Sequence, residues 1–134
     1  MSDRSRAATV LAIMMTDIVG STAMRRARGD PGADEILGLQ AAIVSDEVMA
    51  FGGGVRKSLG DGFLISFPST VAAVRAAAAI QRELHHHNTT DPQRAVEIRI
   101  GIHAGQVSEH DGDLYGQAVH ATARVMDEIG RAHV

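Results

Sequence analysis

Two aspartates carry the chemistry this chain could do. Asp17 lies in Thr-Asp-Ile-Val-Gly-Ser-Thr and Asp61 in Lys-Ser-Leu-Gly-Asp-Gly-Phe. Each falls at the end or turn of an apolar stretch, where a carboxylate taken out of water needs a partner. Carboxylate oxygens are the ligands of hard divalent cations, and the free amides of a Gly-Ser-Thr turn opening a helix suit phosphate. Two converging carboxylates beside such a turn are what a Mg²⁺-nucleotide site requires. Taken singly, each has an ordinary role as well: Asp17 as a helix cap, Asp61 as a hairpin-turn residue.

The elements that must position them follow from hydrophobic period and turn chemistry. Val10 to Asp17 reads as a buried strand ending at a Gly-containing turn. Ser21 to Arg28 reads as a short helix, and Asp30-Pro31 starts another, with Asp as cap and Pro in the first turn. That second helix carries Ile36, Leu39, Ile43 and Val44 at helical spacing and stops before Gly52-Gly53-Gly54. Val55 to Leu59 and Phe63 to Phe67 read as strands joined at Gly60-Asp61-Gly62. An Ala-rich helix runs from Val71 to about Leu84, closed by His85-His86-His87-Asn88 and Asp91-Pro92. Val96 to Val107 reads as a strand bent at Gly105, Ser108 to Gly112 as a polar turn, and Gln117 to Glu128 as a further helix. The order β-α-α-β-β-α-β-α predicts an α+β, ferredoxin-like sandwich with helices on one face of the sheet. The His triplet reads as a solvated helix end, because consecutive helical side chains diverge.

Composition narrows the function classes. At 134 residues the chain is one domain with a real core. Hydrophobic residues make up 45% and aromatics only 3%, so Ala, Val, Ile, Leu and Met must build that core. Net charge is -3 with no basic block, which argues against a nucleic-acid partner. The absence of Cys removes disulfides, thiolate catalysis and Cys-zinc sites, and fits a cytoplasmic protein. The apolar run Val10 to Met15 is far too short for a membrane span. Arg4 and Arg6 precede no long apolar region, so no signal peptide is expected.

Four blocks resemble, in order and over nearly the whole chain, the catalytic domain of class III nucleotidyl cyclases, the adenylate and guanylate cyclases. They are Met15-Thr16-Asp17-Ile18-Val19-Gly20-Ser21-Thr22, Lys57-Ser58-Leu59-Gly60-Asp61-Gly62-Phe63, Arg99-Ile100-Gly101-Ile102-His103-Ala104-Gly105, and Asp113-Leu114-Tyr115-Gly116 running on to Val119-His120-Ala121-Thr122-Ala123-Arg124-Val125. The resemblance implies the cyclase fold and, as function, an adenylate cyclase that converts ATP to 3′,5′-cyclic AMP and pyrophosphate. It implies that Asp17 and Asp61, with the backbone carbonyl of Ile18, hold two Mg²⁺ or Mn²⁺ ions per site. Val19, Gly20, Ser21 and Thr22 would turn amides toward the β- and γ-phosphates. Lys57 and Asp113 match the base-reading pair: a donor for adenine N1 and an acceptor for its 6-amino group, a pattern that guanine reverses. Arg124 matches the catalytic arginine that stabilises the pentavalent phosphorus. One helical turn earlier, where the common family residue is a ribose-orienting Asn, this chain has His120, a smaller change in hydrogen bonding than in size and titration. His103 reads as a structural strand residue. Because the family builds each site between two subunits, the resemblance implies a homodimer with composite sites and an inactive monomer.

Family domains continue beyond the Arg124 helix with further strands, one of which supplies a Lys that grips the triphosphate. The expectation is therefore a cyclase domain truncated at its C-terminus: a partial domain over 1–128, and a non-native tail over 129–134, Ile129-Gly130-Arg131-Ala132-His133-Val134. The fragment itself is then expected to be poorly active. The alternative is a nucleotide-binding or dimerisation module that has lost catalysis and regulates an attached domain. His120 speaks for that alternative; the retained Asp17, Asp61, Lys57, Asp113 and Arg124 speak against it. No Gly-Gly-Asp-Glu-Phe run occurs, which removes support for a diguanylate cyclase.

Overall fold

Side-chain alternation along strand β1 (Ala8–Ile18) sorts the molecule into two faces. Ala12, Met14 and Ile18 belong to one apolar cluster, whereas Leu11, Ile13 and Met15 belong to another. The computed structural model describes residues 8–132. Arg4 and Arg6, and the last two residues of the expected tail, lie outside the described residues.

Strand β1 is the centre of a five-stranded antiparallel sheet. The other strands are β2 (Gly54–Ser58), β3 (Gly62–Phe67), β4 (Ile98–His110) and β5 (Asp113–Tyr115), in the order β2-β3-β1-β4-β5. With helices α1 (Ser21–Ala50), α2 (Thr70–Thr90) and α3 (Gln117–Ala132), this is the ferredoxin-like α+β sandwich that the element order predicts. Helices α1 and α2 cover the first face. Ile36, Val44 and Val48 from α1 and Ala76, Ile80 and Leu84 from α2 close over Ala12, Met14, Ile65 and Phe67.

The third helix differs from the one-face expectation. Helix α3 packs on the opposite face, where Ala118 joins Ile13, Leu64, Val107 and Leu114. Ala118, Thr122 and Met126 recur at one-turn spacing and are its buried stripe. Two glycines of β4 seat that stripe. A Cβ on Gly105 would lie 3.1 Å from the Ala118 Cβ, and one on Gly101 would lie 2.9 Å from the Met126 sulfur. Gly105 is thus a point of close helix approach, and β4 runs through it to His110 as one strand.

Local chemistry explains the other departures. The two expected helices before β2 are one α1, kinked at Gly29, whose φ of 73° and ψ of 173° are not helical. Helix α2 starts at Ser69, whose hydroxyl accepts from the Ala72 amide at 3.1 Å, and continues through the His triplet. It ends where the Asp91 amide donates to the His87 carbonyl, just before Pro92. The expected polar turn over 108–112 shrinks to Asp111-Gly112, both at positive φ, and the residues either side pair as the β4–β5 hairpin. Helix α3 continues past 128, so that boundary coincides with no structural break.

One glycine fixes the register beside the aspartates. Gly62 pairs with Asp17, and a Cβ there would fall 1.7 Å from the Thr16 carbonyl oxygen. Gly62→Ala is expected to lower unfolding free energy by about 3 kcal/mol or more. Gly54→Ala, which would meet nothing within 4 Å, is expected to stay within about 1 kcal/mol of the parent. Urea unfolding of the two variants checks this, and equal midpoints would contradict it.

Candidate active site

Strand pairing brings the two aspartates together. Asp17, one residue before the end of β1, pairs with Gly62, so Asp61, the residue before Gly62, lies at the same end of two hydrogen-bonded strands. The Thr16 hydroxyl accepts from the Phe63 amide at 3.1 Å and ties the hairpin to β1 at this point. Ser21, the first residue of α1, donates its hydroxyl to Asp61 Oδ2 at 2.9 Å. Before it, Gly20 takes a left-handed conformation, φ 67° and ψ 32°, and enters the helix without a side-chain cap. Ser21, Thr22, Gly60 and Asp61 line a cleft of about 380 Å³. Arg25, also at its wall, is held by Asp30 at 2.9 Å, a hydrogen bond that raises its pKa.

The turn does not offer all four of its expected amides. Val19 N–H donates to the Glu97 carbonyl at 2.9 Å and is spent on the fold. The first intrahelical bond of α1 runs from the Met24 amide to the Gly20 carbonyl. The amides of Ser21 and Thr22 therefore stand in the first turn, where no helical acceptor exists.

The sequence reading used Arg99 only as part of a strand, and the structure gives it a role. Arg99 faces Asp17 across the β1–β4 ladder. Its Nε donates to Asp17 Oδ1 at 2.7 Å and its Nη2 to Oδ2 at 3.1 Å, a bidentate fork. Both oxygens of Asp17 are thus engaged. The signal that could have found it is an arginine set between Ile98 and Ile100 in an otherwise apolar strand, where a charge needs a partner.

Two carboxylates at one strand end are hard oxygen donors and fit a divalent cation such as Mg²⁺ or Mn²⁺. Among the described residues, no group of three or more His, Asp or Glu side chains gathers as a metal cluster. Any cation here must complete its shell from backbone carbonyls, water or ligand oxygens, and would compete with the Arg99 guanidinium for Asp17.

Lys57 and Asp113 come from opposite edges of the sheet, yet Lys57 Nζ lies 3.5 Å from Asp113 Oδ2. The sheet curls until its edge strands approach. Asp113 Oδ1 accepts from the Leu114 amide at 2.9 Å, which orients the carboxylate. Both side chains stay open to solvent, so the pair is weak and can open around a ligand.

His120 and Arg124 lie a turn apart on the outward side of α3, away from the Ala118–Thr122–Met126 stripe, and both are exposed. Among the described residues neither has a side-chain partner, and no ion pair or hydrogen bond joins them to Asp17 or Asp61. The chain thus ties Asp61 to Ser21, Asp17 to Arg99 and Lys57 to Asp113, and leaves His120 and Arg124 facing outward. His103 is exposed on β4, where it lines a cleft of about 420 Å³ with Tyr115 and Gln117. Among the described residues no helix is long and apolar enough to cross a membrane.

Arg99→Gln leaves the half-buried Asp17 carboxylate without its cation. The expected loss is about 1–3 kcal/mol of unfolding free energy at neutral pH. Chemical denaturation checks this, and an unchanged midpoint would show that the fork contributes nothing.

No family model matches the chain. It is similar to "Adenylate cyclase" of Streptomyces coelicolor, 29% identical over 115 residues, which cover 86% of this chain and 29% of that protein. Among solved structures it is similar to an adenylate/guanylate cyclase/hydrolase from Silicibacter pomeroyi, with a TM-score of 0.74 and 28% identity over 89% of this chain and 70% of that one. The adenylyl cyclase CyaB from P. aeruginosa shares the fold at a TM-score of 0.80, with 22% identity over 91% of this chain and 73% of that one. The chain spans between 13% and 35% of the length of three curated relatives it matches.

Proposed function

Because its fold is that of class III adenylate/guanylate cyclase catalytic domains, and its sequence is homologous to proteins named adenylate cyclase, we propose that this chain is an adenylate cyclase domain. The reaction is conversion of ATP to 3′,5′-cyclic AMP and pyrophosphate, with the ribose 3′-hydroxyl attacking the α-phosphate. The observation that carries the choice of base is the meeting of Lys57 and Asp113 at 3.5 Å. A donor beside an acceptor complements adenine N1 and its 6-amino group. Guanine would set its own donor against Lys57 and its acceptor against Asp113, leaving polar groups unpaired.

Asp17, Asp61 and the Ile18 carbonyl would hold two Mg²⁺ or Mn²⁺ ions, which when bound acidify the 3′-hydroxyl and offset charge on the α-phosphate. The Gly20–Ser21–Thr22 turn binds the β- and γ-phosphates through its free amides, with Val19 contributing only to the fold. Arg124 stabilises charge on the phosphorus in the transition state. His120 accepts from or donates to the ribose in place of the family's usual amide. One chain carries both residue sets without joining them, which favours a two-fold homodimer with two composite sites.

One observation favours the second reading, a nucleotide-binding or dimerisation module without catalysis: the Arg99 fork occupies both oxygens of Asp17. Turnover separates the two readings. A longer protein that carries this domain is expected to form cyclic AMP from Mn²⁺-ATP, and this chain by itself only little, with Asp17→Ala in the longer protein slowing turnover by about a thousandfold. Arg124→Ala is expected to lower kcat by about a thousandfold while leaving Mn²⁺-ATP binding near its parent value. Equal turnover by the parent and Asp17→Ala would refute the metal assignment. Mn²⁺-ATP binding by that longer protein without any cyclic AMP would favour the binding module.

A further inference from the structure

Strand β2 is irregular at the point where the base-reading lysine sits. Its register with β3 shifts between Val55 and Lys57, which makes Arg56 the extra residue of a bulge. In a regular strand Arg56 and Lys57 would point to opposite faces. A bulge re-aims one of the two, so both can reach across to the β4–β5 hairpin. Both do so here. Lys57 reaches Asp113 at the start of β5, and Arg56 Nη2 donates to Glu109 Oε1 on β4 at 2.9 Å. Arg56 is itself anchored, since its Nε donates to the Ser66 hydroxyl at 2.8 Å and Ser66 is buried in β3.

We propose that Arg56 is a positioning residue for base recognition: its bridge from Ser66 to Glu109 ties β2 to the β4–β5 hairpin at the spacing that lets Lys57 and Asp113 read one base. The inference rests on the adenine-reading role proposed for that pair. Strand β5 is only three residues long and pairs with β4 alone. Such a short edge strand opens readily unless something fixes it. Glu109 stands opposite Leu114 in the β4–β5 ladder, and the Leu114 amide is what orients Asp113. Fixing Glu109 therefore fixes the hairpin limb from which Asp113 projects. Arg56 and Glu109 are both partly exposed, so the bridge adds little to global stability and acts through geometry.

Three proteins test this: the parent, Arg56→Ala, and the charge-swapped Arg56→Glu/Glu109→Arg. Two quantities are measured on each, the Kd ratio for Mn²⁺-GTP over Mn²⁺-ATP and hydrogen exchange at the β5 amides. Arg56→Ala is expected to weaken Mn²⁺-ATP binding and narrow the ratio by about fivefold or less, with faster β5 exchange. The swapped pair is expected to recover part of both. Faster exchange with an unchanged ratio would reduce Arg56 to a structural clasp and overturn the positioning role. Unchanged values of both would overturn the clasp as well. A parent protein that binds the two nucleotides equally would instead fail the adenine reading, and the exchange data would still report whether the edges are held.

Discussion

Strand β1 is paired along both of its sides, and that two-sided register is the constraint on which the rest depends. At Asp17 it sets Gly62 on one flank and Arg99 on the other. A slip of one residue would exchange the faces of the whole strand, setting Met14 and Ile18 against the wrong apolar cluster. The apolar clusters on both sides of the sheet therefore enforce the position of a single carboxylate. Gly62 enforces it again from the turn, because only a residue without a Cβ can approach the Thr16 carbonyl so closely. The core and the candidate site are thus fixed by the same ladder.

The second dependency is curvature. Lys57 and Asp113 belong to strands at the two ends of the sheet order, and a flat sheet would hold them four strand spacings apart. Twist and curl bring the edges together, and the Arg56 bridge spans the same gap one residue away. Helix α3 contributes from beneath. Gly101 and Gly105 let it lie close against β4, which sets the outward stripe of His120 and Arg124 relative to the strand that carries Glu109.

Much of this was legible in the sequence, and what was not has a common cause. Asp17, Asp61 and the Gly-Ser-Thr turn announced themselves because turn residues, apolar strands and charge sit side by side in the chain. The helix break before Pro31 was visible for the same reason, although Gly29 bends one helix there rather than separating two. Arg99 and Arg56 were not singled out, since their meaning lies in partners 82 and 53 residues away. The side of the sheet that α3 takes was equally hidden, because an amphipathic stripe states that a helix has a face and not which surface it meets. Gly105 could be read as a bend or as a seat, and only its neighbour Ala118 decides.

The strengths of the contacts divide by task. Holding the chain together falls to apolar side chains, which are fully buried at Ile13, Met14, Ile65 and Val44. Ion pairs that solvent reaches, such as Lys57–Asp113, are each worth little and cost little to open. Arg99–Asp17 is the exception: bidentate and half-buried, it holds a carboxylate that a cation must claim. The fork balances charge at Asp17, so whatever replaces Arg99 there must itself bring positive charge, and the guanidinium it frees needs an anion in turn.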